Sequence, residues 1–430
     1  MPLSADFLRN EFYQPFDTEV FEGPRSVSHI RSFFAQDRDR IGHSAAYRRL
    51  QAKTQVFRSG EYDFYRTRLT HTNEVALIGR GICDYLCRTS PDLTDHFHPD
   101  ADLVEACCMA HDIGHPPFGH AGERSLHRLM LNYGGFEGNA QTVRLLTRTI
   151  FSDGNIRRGM KPTRAFLDGV LKYKRLFSSF EEAPQNHFLY DDQGEVNAIV
   201  AGSGNIEGFE STRSIECQIM DWADDTAYSL GDLVDGIRAR FITVDRLERW
   251  AGDNSSMSDP LRSEPLSRLL SAIRKGTLSR FIALRIGDFI QACSLTKATG
   301  PLSNATARHQ FSLIKTVEIE RANDLYQEIA KDLVFRTPEV QQLEYKGGQI
   351  LNSLFKLFSE EYFPHKKPAK RPPNLLPKQI EVRISAIPYE SVTERARVVC
   401  DHLSGMSDDF VVRTYRRLFD SDFGSIVDLV

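Results

Sequence analysis

The chain has 430 residues, 41% hydrophobic and 26% charged, with a formal net charge of −4. This is an ordinary globular composition that argues against a generally basic nucleic-acid binder, although net charge does not limit a local basic patch. The length exceeds one simple core and suits a large helical body with appendages.

The N-terminal stretch MPLSADFLRNEFYQ has no apolar signal core, and no run of about 18 apolar residues follows it, so neither a secretory leader nor a membrane span is expected. Helical periodicity dominates from there on. Residues 72–88 place Val75, Ile78, Gly79, Ile82 and Leu86 on one face, with Thr70 or Thr72 as the cap. Residues 101–111 place Leu103, Cys107 and Ala110 likewise and end near His111. Further helices are expected over 214–239, 266–298, 313–334, 338–361 and 389–420, with interruptions. Strand-like alternation is scarce, and 187–192, 197–202 and 379–384 are the candidates for short hairpin strands. Loops are expected over 250–265 and over 364–378, the latter with five prolines and five Lys or Arg residues. That segment reads either as a solvated proline-rich excursion or as a phosphate-contacting arm for nucleic acid or a neighbouring subunit's nucleotide. There is no internal repeat. The seven cysteines are odd in number and form no CxxC pair, which fits reduced core residues of a cytoplasmic protein.

Residues 111–120, HDIGHPPFGH, hold three histidines and an aspartate among Gly114, Pro116, Pro117 and Gly119. Imidazole and carboxylate are ligands for borderline or hard divalent metals, and the glycines and prolines end a helix and turn the chain sharply. His71 opens one helix, while His111 and Asp112 close the next. Asp224, Tyr228, Asp232 and Asp235 recur at i, i+4, i+8 and i+11, on one helix face. Two histidines and two carboxylates suit one Mn²⁺, Fe²⁺, Co²⁺, Ni²⁺ or Zn²⁺ ion, with Mg²⁺ less favoured by imidazole. His115 and His120, with Glu123 one turn beyond, are candidates for acid/base chemistry. Arg66 and Arg68 precede His71, and arginine forks match phosphate oxygens. Arg48, Arg49 and Lys53, with Gln51 and Gln55, form a second cluster. Asn139, Gln141 and Arg144 form a third, and Lys172 and Lys174 a fourth. No GxxxxGK[ST] loop is present, so phosphate handling is not of the P-loop kind.

RRLQAKTQVF, YRTRLTHTNEVALIGR, AHDIGHPPFGHAGE, FEGNAQTVRLL, MDWADDTAYSLGDLVDG and DHLSGMSDDF resemble, in order, the segments of the HD-domain deoxynucleoside triphosphate triphosphohydrolases, specifically the bacterial dGTPase-like branch. They cover most of 40–240, with a last piece at 401–410. The resemblance implies a metal set of His71, His111, Asp112 and Asp224. It implies a catalytic His120 with Glu123 as its partner, and an active-site His115 for phosphate binding or acid/base work. Arg68 then matches a phosphate ligand, and Gln55 the group that reads the sugar 3′-hydroxyl. Tyr228 and Asp232 match residues lining the sugar and phosphate pocket. Asp224 is chosen over Asp225 because it shares a face with Tyr228 and Asp232.

The expected activity is metal-dependent hydrolysis of dNTPs, dGTP or several of them, to deoxynucleoside and inorganic triphosphate. The alternatives are another HD phosphohydrolase, such as a nucleotidase or phosphodiesterase, and a nucleic-acid-binding regulatory protein. The resemblance also implies an oligomer, often a hexamer, and a dNTP effector at subunit contacts; the basic 364–378 segment keeps single-stranded nucleic acid as a further partner. The expected fold is mainly α: an N-terminal arm over 1–39, an HD helical core over 40–240, and a further helical region over 241–430 packed on it, with a few short strands.

Overall fold

Thr67 begins the helix that carries His71. Its hydroxyl accepts from the Thr70 N–H, and the Thr70 hydroxyl accepts from the Thr67 N–H, a reciprocal cap that starts the helix at Arg68 and not at residue 72. The computed structural model describes residues 10–23, 25, 30–57, 66–153, 156–202, 207–363 and 373–423. Within them the Arg68–Thr89 helix packs on the Ala101–Ala110 and Ile215–Arg238 helices, and Phe33–Gly42 covers Ala101–Ala110. Asp100 and Ser214 cap their helices through side-chain oxygens. Gly79 permits the close crossing, since a Cβ there would lie 2.7 Å from Cys108 Sγ.

Buried apolar residues form two clusters. The first runs from Phe12, Phe21 and Ile41 through the three central helices to Leu325 and Val334. The second joins Leu126 and Met130 of the Gly119–Met130 helix to Leu351, Leu354 and Phe358 of Pro338–Tyr362, and to Val399, Cys400 and Leu403 of Val392–Ser404.

The fold is mainly helical, with few strands among the described residues. These are two antiparallel pairs, Phe151–Asp153 with Ile156–Arg158 and Cys293–Lys297 with Phe311–Lys315. All three expected hairpin strands are corrected. Residues 197–202 fall in the Gly194–Ala201 helix, which buries Val196 and Val200 at i, i+4 and stops at Gly202 in the left-handed region. Residues 379–384 fall in Lys378–Ser385, where Ile380 and Ile384 are buried and Val382 is exposed; period four outcompetes alternation because a single face meets the core. Residues 187–192 contribute one bridge, Leu189 to Leu176, before a short 3₁₀ turn.

The 266–298 helix is instead Pro260–Arg274, a left-handed turn at Gly276, Leu278–Gln291 and then a strand. The 313–334 helix begins as strand and becomes helical at Val317. The 250–265 loop is largely helical, because Asp259 and Pro260 start a helix there as cap and first residue. Of the 364–378 segment, 364–372 lies outside the described residues. Among the described residues no helix is long and apolar enough to cross a membrane.

Candidate active site

His111 caps the Ala101–Ala110 helix, and Asp112 follows in a turn. The turn is tight at Gly114, whose Cβ would stand 2.2 Å from the Gly138 carbonyl; its N–H donates to Thr142 Oγ1 at 3.1 Å. Phe118 and Gly119 are both left-handed and aim the next helix, Gly119–Met130, back across the turn. Asp408 clasps this arrangement: one oxygen accepts from the Phe118 N–H at 3.1 Å, the other from the Thr54 N–H at 3.0 Å.

Four donor groups from three helices meet beside the turn. His71 Nε2 lies 3.1 Å and His111 Nε2 3.5 Å from the same oxygen, Asp224 Oδ1. His111 Nδ1 sits 2.6 Å from the Cys108 carbonyl, which places its proton on Nδ1 and leaves the Nε2 lone pair free. That Nε2 is buried with no hydrogen-bond partner, as expected of a metal donor. Asp112 Oδ1 lies 3.6 Å from His111 Nε2 and 2.9 Å from His115 Nδ1, and Oδ2 accepts from Arg68 Nη1 at 2.8 Å. Burial works to raise Asp112, but Arg68, His115 and His111 outweigh it and hold the carboxyl well below the ordinary range.

A second group faces the first. His120 Nδ1 is 3.2 Å from Glu123 Oε2, and Glu123 Oε1 accepts from the Gly138 N–H at 2.7 Å. Burial alone would raise Glu123, yet His120, His115 and that N–H bring it down to about 2. The His115 and His120 rings are 5.7 Å apart. Both groups line one cavity of about 570 Å³ together with Gln55, Arg68, Lys172 and Tyr228.

Residues 68–229 match the HD domain family, and residues 315–417 match the phosphohydrolase-associated domain. The deoxyguanosinetriphosphate triphosphohydrolase-like protein of Shewanella loihica is 35% identical, over 93% of this chain and 95% of its own. Deoxyguanosinetriphosphate triphosphohydrolase-like protein 2 of Deinococcus radiodurans is 34% identical over 93% and 95%. The chain belongs to the deoxyguanosinetriphosphate triphosphohydrolase-like family.

Other expected residues of this triphosphohydrolase-like chain have different neighbours. Arg66 and Asp232 do not line the cavity: Arg66 donates to Asp232 Oδ1 at 2.6 Å, Asp235 Oδ2 at 2.8 Å and the Ala227 carbonyl at 3.2 Å. The acidic stripe is thus divided. Asp224 and Tyr228 face the cavity, while Asp232 and Asp235 hold Arg66 behind it. Lys172 lines the cavity but sits 2.5 Å from Asp221 Oδ1 and 3.7 Å from Asp224 Oδ2, where it supports the carboxylate. Lys53, expected beside phosphate, donates to the His115 and Ser404 carbonyls at 2.5 and 2.9 Å, and burial pushes it down to about 7. Asn139 lines the cavity, but Gln141 and Arg144 turn to Asp401. Lys174 pairs with Asp168.

Several lining residues gave no local signal. Lys331, Phe335, Arg336 and Lys346 come from the region after 240. Phe335 stacks on Tyr228, with centroids 6.1 Å apart. Tyr173 stacks on His187 at 4.0 Å, and His187 is held at φ +65°. The 401–410 piece was the one sequence hint of Asp408.

Proposed function

We propose that this chain hydrolyses deoxynucleoside triphosphates at the α-phosphorus, releasing deoxynucleoside and intact inorganic triphosphate. The observation that carries the reading is that His71, His111 and Asp224 come together, with Asp112 beside His111, in the cavity that the His120–Glu123 pair also lines. Membership of the triphosphohydrolase-like family supports the substrate class.

The four residues would hold one divalent ion. The buried, unpartnered His111 Nε2 and the mixed imidazole–carboxylate set fit Mn²⁺, Fe²⁺, Co²⁺, Ni²⁺ or Zn²⁺, and less well Mg²⁺. When bound, such an ion polarises a phosphate oxygen and lowers the pKa of water. Arg68 keeps one N–H on Asp112, and its buried Nε has no partner, leaving it free for a phosphate oxygen on which charge develops. Gln55 Oε1 is also buried and unpartnered, in a position to accept from a sugar hydroxyl. Tyr228 and Phe335 form an apolar wall for the sugar. His120, oriented through Nδ1 by Glu123, exchanges a proton with the reacting oxygen through Nε2. Water oxygen bonds to the α-phosphorus, the bond between that phosphorus and the 5′-oxygen breaks, and the deoxynucleoside leaves with the proton. His115 lines the same pocket, and burial, outweighing Asp112, lowers its pKa and favours the neutral ring.

The division into an arm over 1–39, a core over 40–240 and a packed region over 241–430 belongs to the same proposal. So do a homo-oligomer such as a hexamer, a dNTP effector and a cytoplasmic site of action, which seven free thiols suit. Single-stranded nucleic acid on 364–378 is tested by salt-dependent binding.

The deciding experiment is Mn²⁺-supplemented hydrolysis of the four dNTPs, singly and mixed, with products resolved by ³¹P NMR. Intact triphosphate that disappears in His111→Ala is expected. Pyrophosphate or orthophosphate as the primary product would move the assignment to another hydrolase class. Turnover in the mixture alone would identify an activating nucleotide.

A further inference from the structure

One ligand atom from each of His115, His120 and Glu123 lies within 4.8 Å of the other two, as a group apart from His71, His111 and Asp224. The two groups are built alike. The His71 and His111 rings stand 5.6 Å apart at 67°, and the His115 and His120 rings 5.7 Å apart at 74°. His120 Nδ1 lies 3.2 Å from Glu123 Oε2. Two ligands of one tetrahedral ion, each about 2.1 Å from it, are separated by about 3.4 Å.

His115 Nδ1 is buried and makes no hydrogen bond, although Asp112 Oδ1 is 2.9 Å away. Gly138 lets His115 and Glu123 approach: a Cβ there would lie 3.0 Å from Glu123 Oε1 and 3.3 Å from His115 Nδ1. Glu123 keeps its charge, since His120, His115 and the Gly138 N–H outweigh burial. Burial, and then Glu123, push the neighbouring Glu137 carboxyl up, so two carboxyl groups crowd this end of the cavity. Arg68 and Arg124 line the same cavity but are paired with other carboxylates, Asp112 and Glu344. The His120 side chain is 60% exposed, which gives an ion a path from solvent.

Two imidazoles and a carboxylate are a donor set for Zn²⁺, with a fourth position left for water. We propose that His115, His120 and Glu123 form a second metal site, distinct from the His71, His111, Asp112 and Asp224 set, and that Zn²⁺ held there blocks hydrolysis. The blockade rests on the role given above to His120. An imidazole that binds a metal through Nδ1 is neutral and carries its one proton on Nε2. It takes up no second proton there, and Glu123 turns from His120 to the ion. Zinc therefore occupies the pair whose proton exchange the reaction needs.

The test is a count of metal ions on the full-length protein. It is loaded with Mn²⁺, titrated with Zn²⁺, desalted and assayed for both elements, with dNTP turnover read in parallel. Wild type is expected to hold two ions per chain. His120→Ala, at a largely exposed side chain, should hold one and bind the second about 100-fold or more weakly. Glu123→Gln gives the same readout, and His111→Ala should lose the first ion and keep the second; thermal melts establish which variants are folded. Wild-type turnover should fall by about 100-fold or more as the second ion binds with Mn²⁺ retained, the share that acid/base catalysis supplies. One ion per chain in wild type, or a second ion that survives in both His120→Ala and Glu123→Gln, overturns the site. Turnover unchanged with both ions bound overturns the blockade. The counts do not depend on turnover: a chain that hydrolyses no dNTP, yet loses its second ion in His120→Ala, refutes the reading of function and supports the site.

Discussion

Asp224 and Asp225 are adjacent in the chain and occupy opposite electrostatic environments. Burial works to raise Asp224, but His111, His71 and Lys172 outweigh it and hold the carboxyl well below the ordinary range. At Asp225 burial, then Asp224 and Asp221, outweigh Lys172 and Lys315 and push the carboxyl up to about 7. A carboxylate that stays ionised beside two imidazoles can hold a cation, and one driven toward protonation by its neighbours is a poor ligand. Asp224→Ala should therefore lower metal affinity by more than about 100-fold, while Asp225→Ala keeps metal stoichiometry near wild type. Elemental analysis after dialysis, read beside dNTP turnover, checks this. Equal losses in the two variants would remove the distinction.

At the level of elements, the site depends on how sharply the chain turns between the Ala101–Ala110 and Gly119–Met130 helices. Gly114 sits where the turn meets the Gly138–Arg144 helix, and an added Cβ would fall 2.2 Å from the Gly138 carbonyl and 2.3 Å from the Thr142 nitrogen. These are backbone atoms, which cannot swing aside as a side chain can. Gly114→Ala should destabilise the protein by about 3 kcal/mol, as overpacking does. It should also separate His115 from Glu123, because Gly138 donates to Glu123 and the helix would have to move. Urea unfolding together with kcat measures both effects. A variant with unchanged stability and turnover would show that the turn has slack.

Across the whole molecule, the second apolar cluster connects the catalytic turn to the region after 240. Leu126 and Met130 lie on the Gly119–Met130 helix, which bears His120, and they pack with Leu351, Leu354 and Phe358. Gly347 lies against Phe118, so the Pro338–Tyr362 helix approaches the turn itself. Phe358 is fully buried, and Phe358→Ala should cost about 3–5 kcal/mol through lost burial and the cavity left behind. Since this cluster seats the helix bearing His120 and Glu123, kcat should fall even where the variant remains folded. A loss of stability with kcat intact would mean that the region after 240 only supports the fold.

The amino-acid sequence by itself determined the helical character, the helices bearing His71, His111 and Asp224, and the turn that carries Asp112 and His115 and leads to His120 and Glu123. These features are local: 3.6-residue periodicity, capping residues and glycine–proline turns act within a few positions of the groups they place. It did not determine which charges pair. Arg66 resembles Arg68 in every local respect, yet it reaches Asp232 and Asp235 because Gly231 leaves room where a Cβ would lie 1.7 Å from its Nη1. Lys53 resembles a phosphate ligand until the chain brings the carbonyls of His115 and Ser404 to it. The cations at 331, 336 and 346 depend on which helices pack against one another across hundreds of residues. The short candidate strands differ from expectation for the same reason. Isolated segments such as 379–384 satisfy both periods, and only the surface they meet decides between them. Charge pairing and burial are properties of contact, and contact between distant elements is what tertiary structure alone decides.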